Sequence, residues 1–187
     1  MGLIKIFEQY FKPCHYEPEK EDVEICKKCC GSCCKSMGCH ISPFDLREIS
    51  VDSITSLIEE SNCISIDWWE GNPINNEQDG SRAYFLRIKN ENGKIIDPSF
   101  GGRCSILTDT GCPLPFEYRP KGARELIPSE NKKDCKPVYS KQQCAIDWYD
   151  YQDIMEEVYD YFNTYEDIFC IPNILNVFDM FLGGCNE

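Results

Sequence analysis

Five cysteines fall within nine residues, Cys26, Cys29, Cys30, Cys33 and Cys34, and the pair Cys39-His40 follows five residues later. Thiolates gathered this densely hold zinc, iron or an iron–sulfur centre, because Cys-x-x-Cys places two sulfurs on one tight turn. Here two such turns abut, Cys26/Cys29 and Cys30/Cys33. One tetrahedral ion does not readily take both pairs, since zinc sites separate their two knuckles. Some of these sulfurs are therefore expected to share a site with distant ones, from Cys104, Cys112 or Cys135. Neither the bacterial nor the plant-type ferredoxin run is present. Zinc, mononuclear iron and a [4Fe-4S] cluster with scattered ligands all stay open.

The competing reading is a disulfide scaffold. Neighbours such as Cys29-Cys30 bridge each other only under strain, and the first residues, Met-Gly-Leu-Ile-Lys-Ile, contain no signal-peptide core. A cytoplasmic, reduced protein is expected, and there cysteines mean metal or catalysis more often than bridges. His40 adjoins the cluster and is a weaker candidate, as is the lone pair Cys14-His15. Cys63, Cys144, Cys170 and Cys185 stand alone and are expected to be small buried or free residues. No Gly-x-Ser-x-Gly, His-Glu-x-x-His or phosphate-cradling glycine loop occurs. No catalytic set emerges, and the reading leans away from an enzyme.

With 19 basic against 32 acidic residues, the net charge is -13, which argues against nucleic acid or anionic membrane as partner. Nothing approaches the ~18 apolar residues of a membrane span. The cations that exist sit by the cysteines: Lys27, Lys28 and Lys35 around the first group, Arg103, Arg119, Lys121 and Arg124 around the second. Cations so placed offset thiolate charge.

The elements expected to position these groups make a small, irregular, metal-organised α+β domain, rich in helix and with a short β-hairpin. Residues 1–25 read as an amphipathic helix and a polar connector. Gly31 and Gly38 supply backbone freedom in the cysteine loop. Ser42, Pro43 and Asp45 form a capping box, so the loop is expected to feed a helix N-terminus that breaks near Ser50–Ser53 and resumes through Ile54, Leu57 and Ile58. Residues 61–81 read as a loop carrying Trp68 and Trp69. Residues 82–89 and 94–97 read as two strands joined by the turn at 90–93. Ser140 starts a helix over 141–162 whose stripe of Cys144, Trp148, Tyr151, Met155, Val158 and Phe162 is expected to be core. Three units follow: 1–25, a cysteine-cluster domain over 26–163, and an apolar helical segment at 164–187, buried or covering a partner.

Three blocks, Cys26-Lys-Lys-Cys29-Cys30-Gly-Ser-Cys33-Cys34, then Cys104 to Cys112, then Arg119-Pro120-Lys-Gly-Ala-Arg124, resemble a known family. It is the zinc- or iron-chelating cysteine-cluster family, the CxxCxxCC or YkgJ-type domain of bacteria, related to flagellin lysine N-methylases. The resemblance spans about residues 26–150. It implies metal ligands at Cys26, Cys30, Cys33, Cys34, Cys104 and Cys112, with Cys29 a close substitute, and motif roles for Arg119 and Arg124. The family's run is one residue shorter than this one, and its usual cysteine before the second arginine is Ala123 here. Cys135 is then the candidate replacement. The relatives imply a second function, iron–sulfur-dependent methyl transfer to protein lysine from S-adenosylmethionine. A third is a metal-delivery or partner-binding module docking through 168–182.

Overall fold

The computed structural model describes residues 2–15, 31–36, 38–99, 101–127 and 136–169. Cys26, Cys29, Cys30, Cys135 and most of the apolar 164–187 segment lie outside them. The described chain is a small α+β domain built on a three-stranded antiparallel sheet. Its order is β1 (His40–Ile41), β3 (Glu77–Ile88), β2 (Ile64–Asn72).

The hairpin differs from the expected one. Residues 61–81 are not a loop: Ile64 to Asn72 pair with β3. Residues 94–97 add only a single parallel bridge, Ile66 to Ile96, on the far side of β2. The pairing explains why sequence alternation was a poor guide. Residues that pair across an antiparallel ladder share a face. One face carries Ile41, Ile64, Ile66, Leu86 and Ile88, all buried. The other carries His40, Ser65, Asp67, Phe85 and Arg87, and is also buried. A strand covered on both sides loses the in–out polarity that marks it.

Helix α1 (Leu3–Tyr10) buries Ile6 and Phe7 against α2 (Val51–Ser61), which packs on β2. Ser50 caps α2 by accepting the Ser53 N–H. The capping box at Ser42 and Asp45 exists but opens only a three-residue 3₁₀ turn, Pro43–Asp45. The expected helix dipole at the end of the cysteine loop is therefore lacking, because the first full helix starts eight residues later. Between them, Phe11 bridges to Leu46 and ties the N-terminal arm to this turn.

The expected 141–162 helix is two helices, α4 (Lys141–Asp147) and α5 (Gln152–Phe169), joined by a 3₁₀ turn at Tyr149–Tyr151. α3 (Lys121–Arg124) and the short pair β4 (Leu126–Ile127) with β5 (Lys136–Pro137) precede them. The stripe is core: Cys144, Trp148, Met155, Val158 and Phe162 are buried. Trp148 donates its indole N–H to the Ile41 carbonyl at 2.8 Å, satisfying a polar tip that burial would otherwise penalise. Past the short β1, strand β3 has an open edge at Tyr84. The Gln152 side chain fills it, accepting the Tyr84 N–H at 2.7 Å and donating to its carbonyl at 2.9 Å. A primary amide thus stands in for a neighbouring strand. Among the described residues no helix is long and apolar enough to cross a membrane.

Candidate metal centre

The end of β3 gathers the cysteine-bearing segments. Ile88 N–H donates to the Cys39 carbonyl at 2.8 Å, and Lys89 N–H to the Cys63 carbonyl at 2.8 Å. Asn90 bridges to Cys104, and Ser105 N–H returns to the Lys89 carbonyl at 3.0 Å. Three successive residues therefore anchor three stretches of chain.

The early and middle stretches meet directly. Cys104 N–H donates to the Cys34 carbonyl at 2.7 Å, across seventy positions of sequence. Gly31 has a left-handed φ of 75° that a side chain would strain, and a Cβ there would also press on the tip of Leu107, 2.7 Å away. Gly38 is needed for a different reason from the one expected. Its backbone is not left-handed, but a Cβ would fall 1.8 Å from the Ile88 carbonyl oxygen. Any other residue would push the exit of the cysteine loop off the sheet.

Asn90, which the sequence presents only as a turn residue, is the bracket between these stretches. It is buried, accepts the Gly38 N–H at 3.2 Å and donates to the Gly101 carbonyl. Downstream, Thr108 and Gly111 close a tight turn through paired backbone bonds of 3.1 and 3.2 Å, so that Cys104 and Cys112 flank one small loop.

The thiols lie within electrostatic reach of one another. Cys39 is pushed well above the ordinary thiol range, first by burial, then by the Cys104 and Cys112 thiols and by Asp45. Cys63 is pushed up to about 11, mainly by burial, with Cys104 contributing. A cation bound beside such a buried thiol would supply the charge that stabilises its thiolate. Cys39, Cys63, Cys112 and Cys144 carry thiols rather than disulfides. Among the described residues no three ligating side chains close around a common point. Backbone bonding brings the Cys34 segment to Cys104, and the described cysteines do not form a cage. Their soft sulfur donors suit zinc, iron or an iron–sulfur cluster. Of the expected ligands, Cys34, Cys104 and Cys112 are brought to this end of the sheet. Cys33 follows the same path in the 3₁₀ turn Cys33–Lys35, and Cys26, Cys29, Cys30 and Cys135 lie outside the described residues.

The motif arginines brace the surroundings. Arg124 pairs with Asp45 at 2.9 Å and donates to the Arg119 carbonyl, while Arg119 donates to the Leu114 carbonyl at 3.0 Å. Asp45 also accepts the N–H groups of Ser42 and Lys121, at 2.9 and 2.8 Å. One buried carboxylate thus ties the turn after the cysteine loop to α3. Sequence reasoning saw Asp45 only as a cap. The signal for its second role was the Arg119–Arg124 block, a set of donors in search of an acid. Arg103, expected to offset thiolate charge, donates to the Leu107 carbonyl at 2.9 Å and so stiffens the turn between Cys104 and Cys112.

No family model, curated protein or solved structure matches this chain.

Proposed function

We propose that the protein binds a metal, zinc or iron, the latter alone or in a [4Fe-4S] cluster, through thiolates of the 26–40 loop and of the Cys104–Cys112 turn. The observation that carries the reading is the direct junction of Cys34 with Cys104, beside Cys112 and Cys39. Metal binding is coupled to folding and would add to the order that burial of Leu107 and Leu114 already gives the second loop. On this reading the centre is what organises the irregular segments, as the resemblance to the cysteine-cluster family implies. The sheet and helices supply most of the one apolar core, which also takes in Cys104, Leu107 and Leu114.

Among the described residues the methyl-transfer alternative has no comparable support. The cleft beside the cysteines, lined by Asn90, Glu91, Asp97, Ser99 and Arg103, has a volume of about 220 Å³. That is below the ~300 Å³ at which small-molecule sites usually begin, and S-adenosylmethionine is a large ligand.

Chelation tests the proposal. Protein purified anaerobically should contain stoichiometric metal, and a strong chelator should raise amide exchange in residues 31–40 and 101–112 while β2, β3 and α2 keep their protection. Uniform exchange before and after chelation, with no metal released, would refute it.

A further inference from the structure

We propose that Asn92-Gly93 is a site of spontaneous covalent modification, at which Asn92 deamidates to aspartate and isoaspartate and the turn beside Asn90 opens. The inference stands apart from the metal reading. Its chemistry needs no reactant but water, and asparagine is among the thermally labile residues. The Gly93 backbone nitrogen, losing its proton to solvent, bonds to the Asn92 Cγ. The bond from Cγ to the amide nitrogen breaks, ammonia leaves, and a five-membered succinimide remains. Water then cleaves the ring at the new N–Cγ bond, giving aspartate, or at the original peptide bond, giving isoaspartate. In the second product the main chain runs through Cβ and Cγ.

Sequence and geometry place the reaction here. Asn92 alone among the asparagines of the chain precedes a glycine, so no side chain shields the attacking nitrogen. Nucleophile and carboxamide belong to adjacent residues, which makes the attack intramolecular. Asn92 is exposed in a turn closed by one backbone bond, from the Gly93 N–H to the Asn90 carbonyl at 2.8 Å. Glycine is also what the turn accommodates best. A Cβ at 93 would press on the Asn90 backbone N and O, both 3.1 Å away, and on Asp97 Oδ2 at 2.9 Å. Other asparagines lack the combination: Asn72 precedes Pro73, which has no N–H. Asn90 is buried, its carboxamide held between the Gly38 N–H and the Gly101 carbonyl. Isoaspartate inserts one extra carbon between Asn90 and Gly93 and parts the Gly93 N–H from the Asn90 carbonyl. Because Asn90 also holds Gly38, the loosening reaches the exit of the cysteine loop.

The test incubates the full chain, as wild type and Asn92→Ser, at neutral and at mildly alkaline pH, and maps the products by peptide mass spectrometry. Wild type should gain the mass of amide-to-acid conversion at Asn92 before any other asparagine, with isoaspartate in that peptide. Conversion should be faster at the higher pH, because the attacking nitrogen must shed its proton. Asn92→Ser, a change at an exposed position, should be spared. Amide exchange at Gly93 and Gly38 should rise in the converted wild type and stay unchanged in the incubated variant. An intact Asn92 after other asparagines have converted overturns the inference. So does conversion that leaves exchange at both glycines as it was.

Discussion

Arg87 has a guanidinium only 1% exposed, and its five donors would be ruinous there without partners. It pairs with Asp67 at 3.1 Å and donates to the carbonyls of Asp97 and Ser99 at 2.9 and 2.7 Å, while Lys141 reaches the other Asp67 oxygen at 2.9 Å. This buried hub clamps the loop that leads into Cys104. It also sets the state of His40, whose pKa falls to about 4 through burial, then through the charges of Lys141 and Arg87. The sign follows from which state takes the proton. Below the unfolded value of 6.5 the unfolded chain is protonated, while the native state refuses the proton until about 4. Stability is therefore lost as pH falls between those two values, by roughly 3 kcal/mol at full effect. His40→Gln should flatten that part of the stability–pH curve relative to wild type, as read by denaturant midpoints. Parallel curves would mean His40 does not contribute. At this scale the cysteines were legible and their braces were not. Dense Cys-x-x-Cys spacing announces itself locally, whereas Asn90, Asp45 and Arg87 owe their roles to partners up to seventy-nine positions away.

Elements were legible where one face alone is buried. The α1 and α2 helices and the stripe Cys144, Trp148, Met155, Val158 and Phe162 followed the 3.6-residue period, and burial bears that out. β2 was hidden because Ser65 and Asp67, polar residues inside a buried strand, mimic a loop until Lys94 and Arg87 are seen to satisfy them. With β2 read as a loop, 94–97 is the expected partner of β3, whereas the strand that pairs with it is Ile64–Asn72. The division of the 141–162 helix was also invisible, since the stripe continues across the 3₁₀ turn without losing phase. Gln152, just past that turn, is the element-scale device most open to test. Gln152→Ala leaves the Tyr84 N–H and carbonyl without their present partners, so the variant should lose about 1–3 kcal/mol. Urea unfolding would measure it. A loss within a few tenths of a kcal/mol would show that water replaces the amide at that edge.

Across the whole molecule, two kinds of order coexist. One end is an apolar core shared by the sheet, α1, α2, α4 and α5. At the end of β3, backbone bonds join the cysteine-bearing segments, with Cys104 and Leu107 buried in that same core. The net charge is -13, and acids such as Asp45 and Asp109 stand among the cations near the cysteines. The fold class could be read from helix periods and turn residues. The convergence of the loops could be suspected only from too many sulfurs for one turn, because no periodicity encodes a contact between Cys34 and Cys104. X-ray absorption at the metal edge of the anaerobically purified full chain tests this convergence most directly. The account predicts a first shell dominated by sulfur, at about 2.3 Å for zinc, in which Cys34→Ser and Cys104→Ser each lower the sulfur count. A shell of nitrogen and oxygen, or a sulfur shell untouched by either substitution, would contradict it.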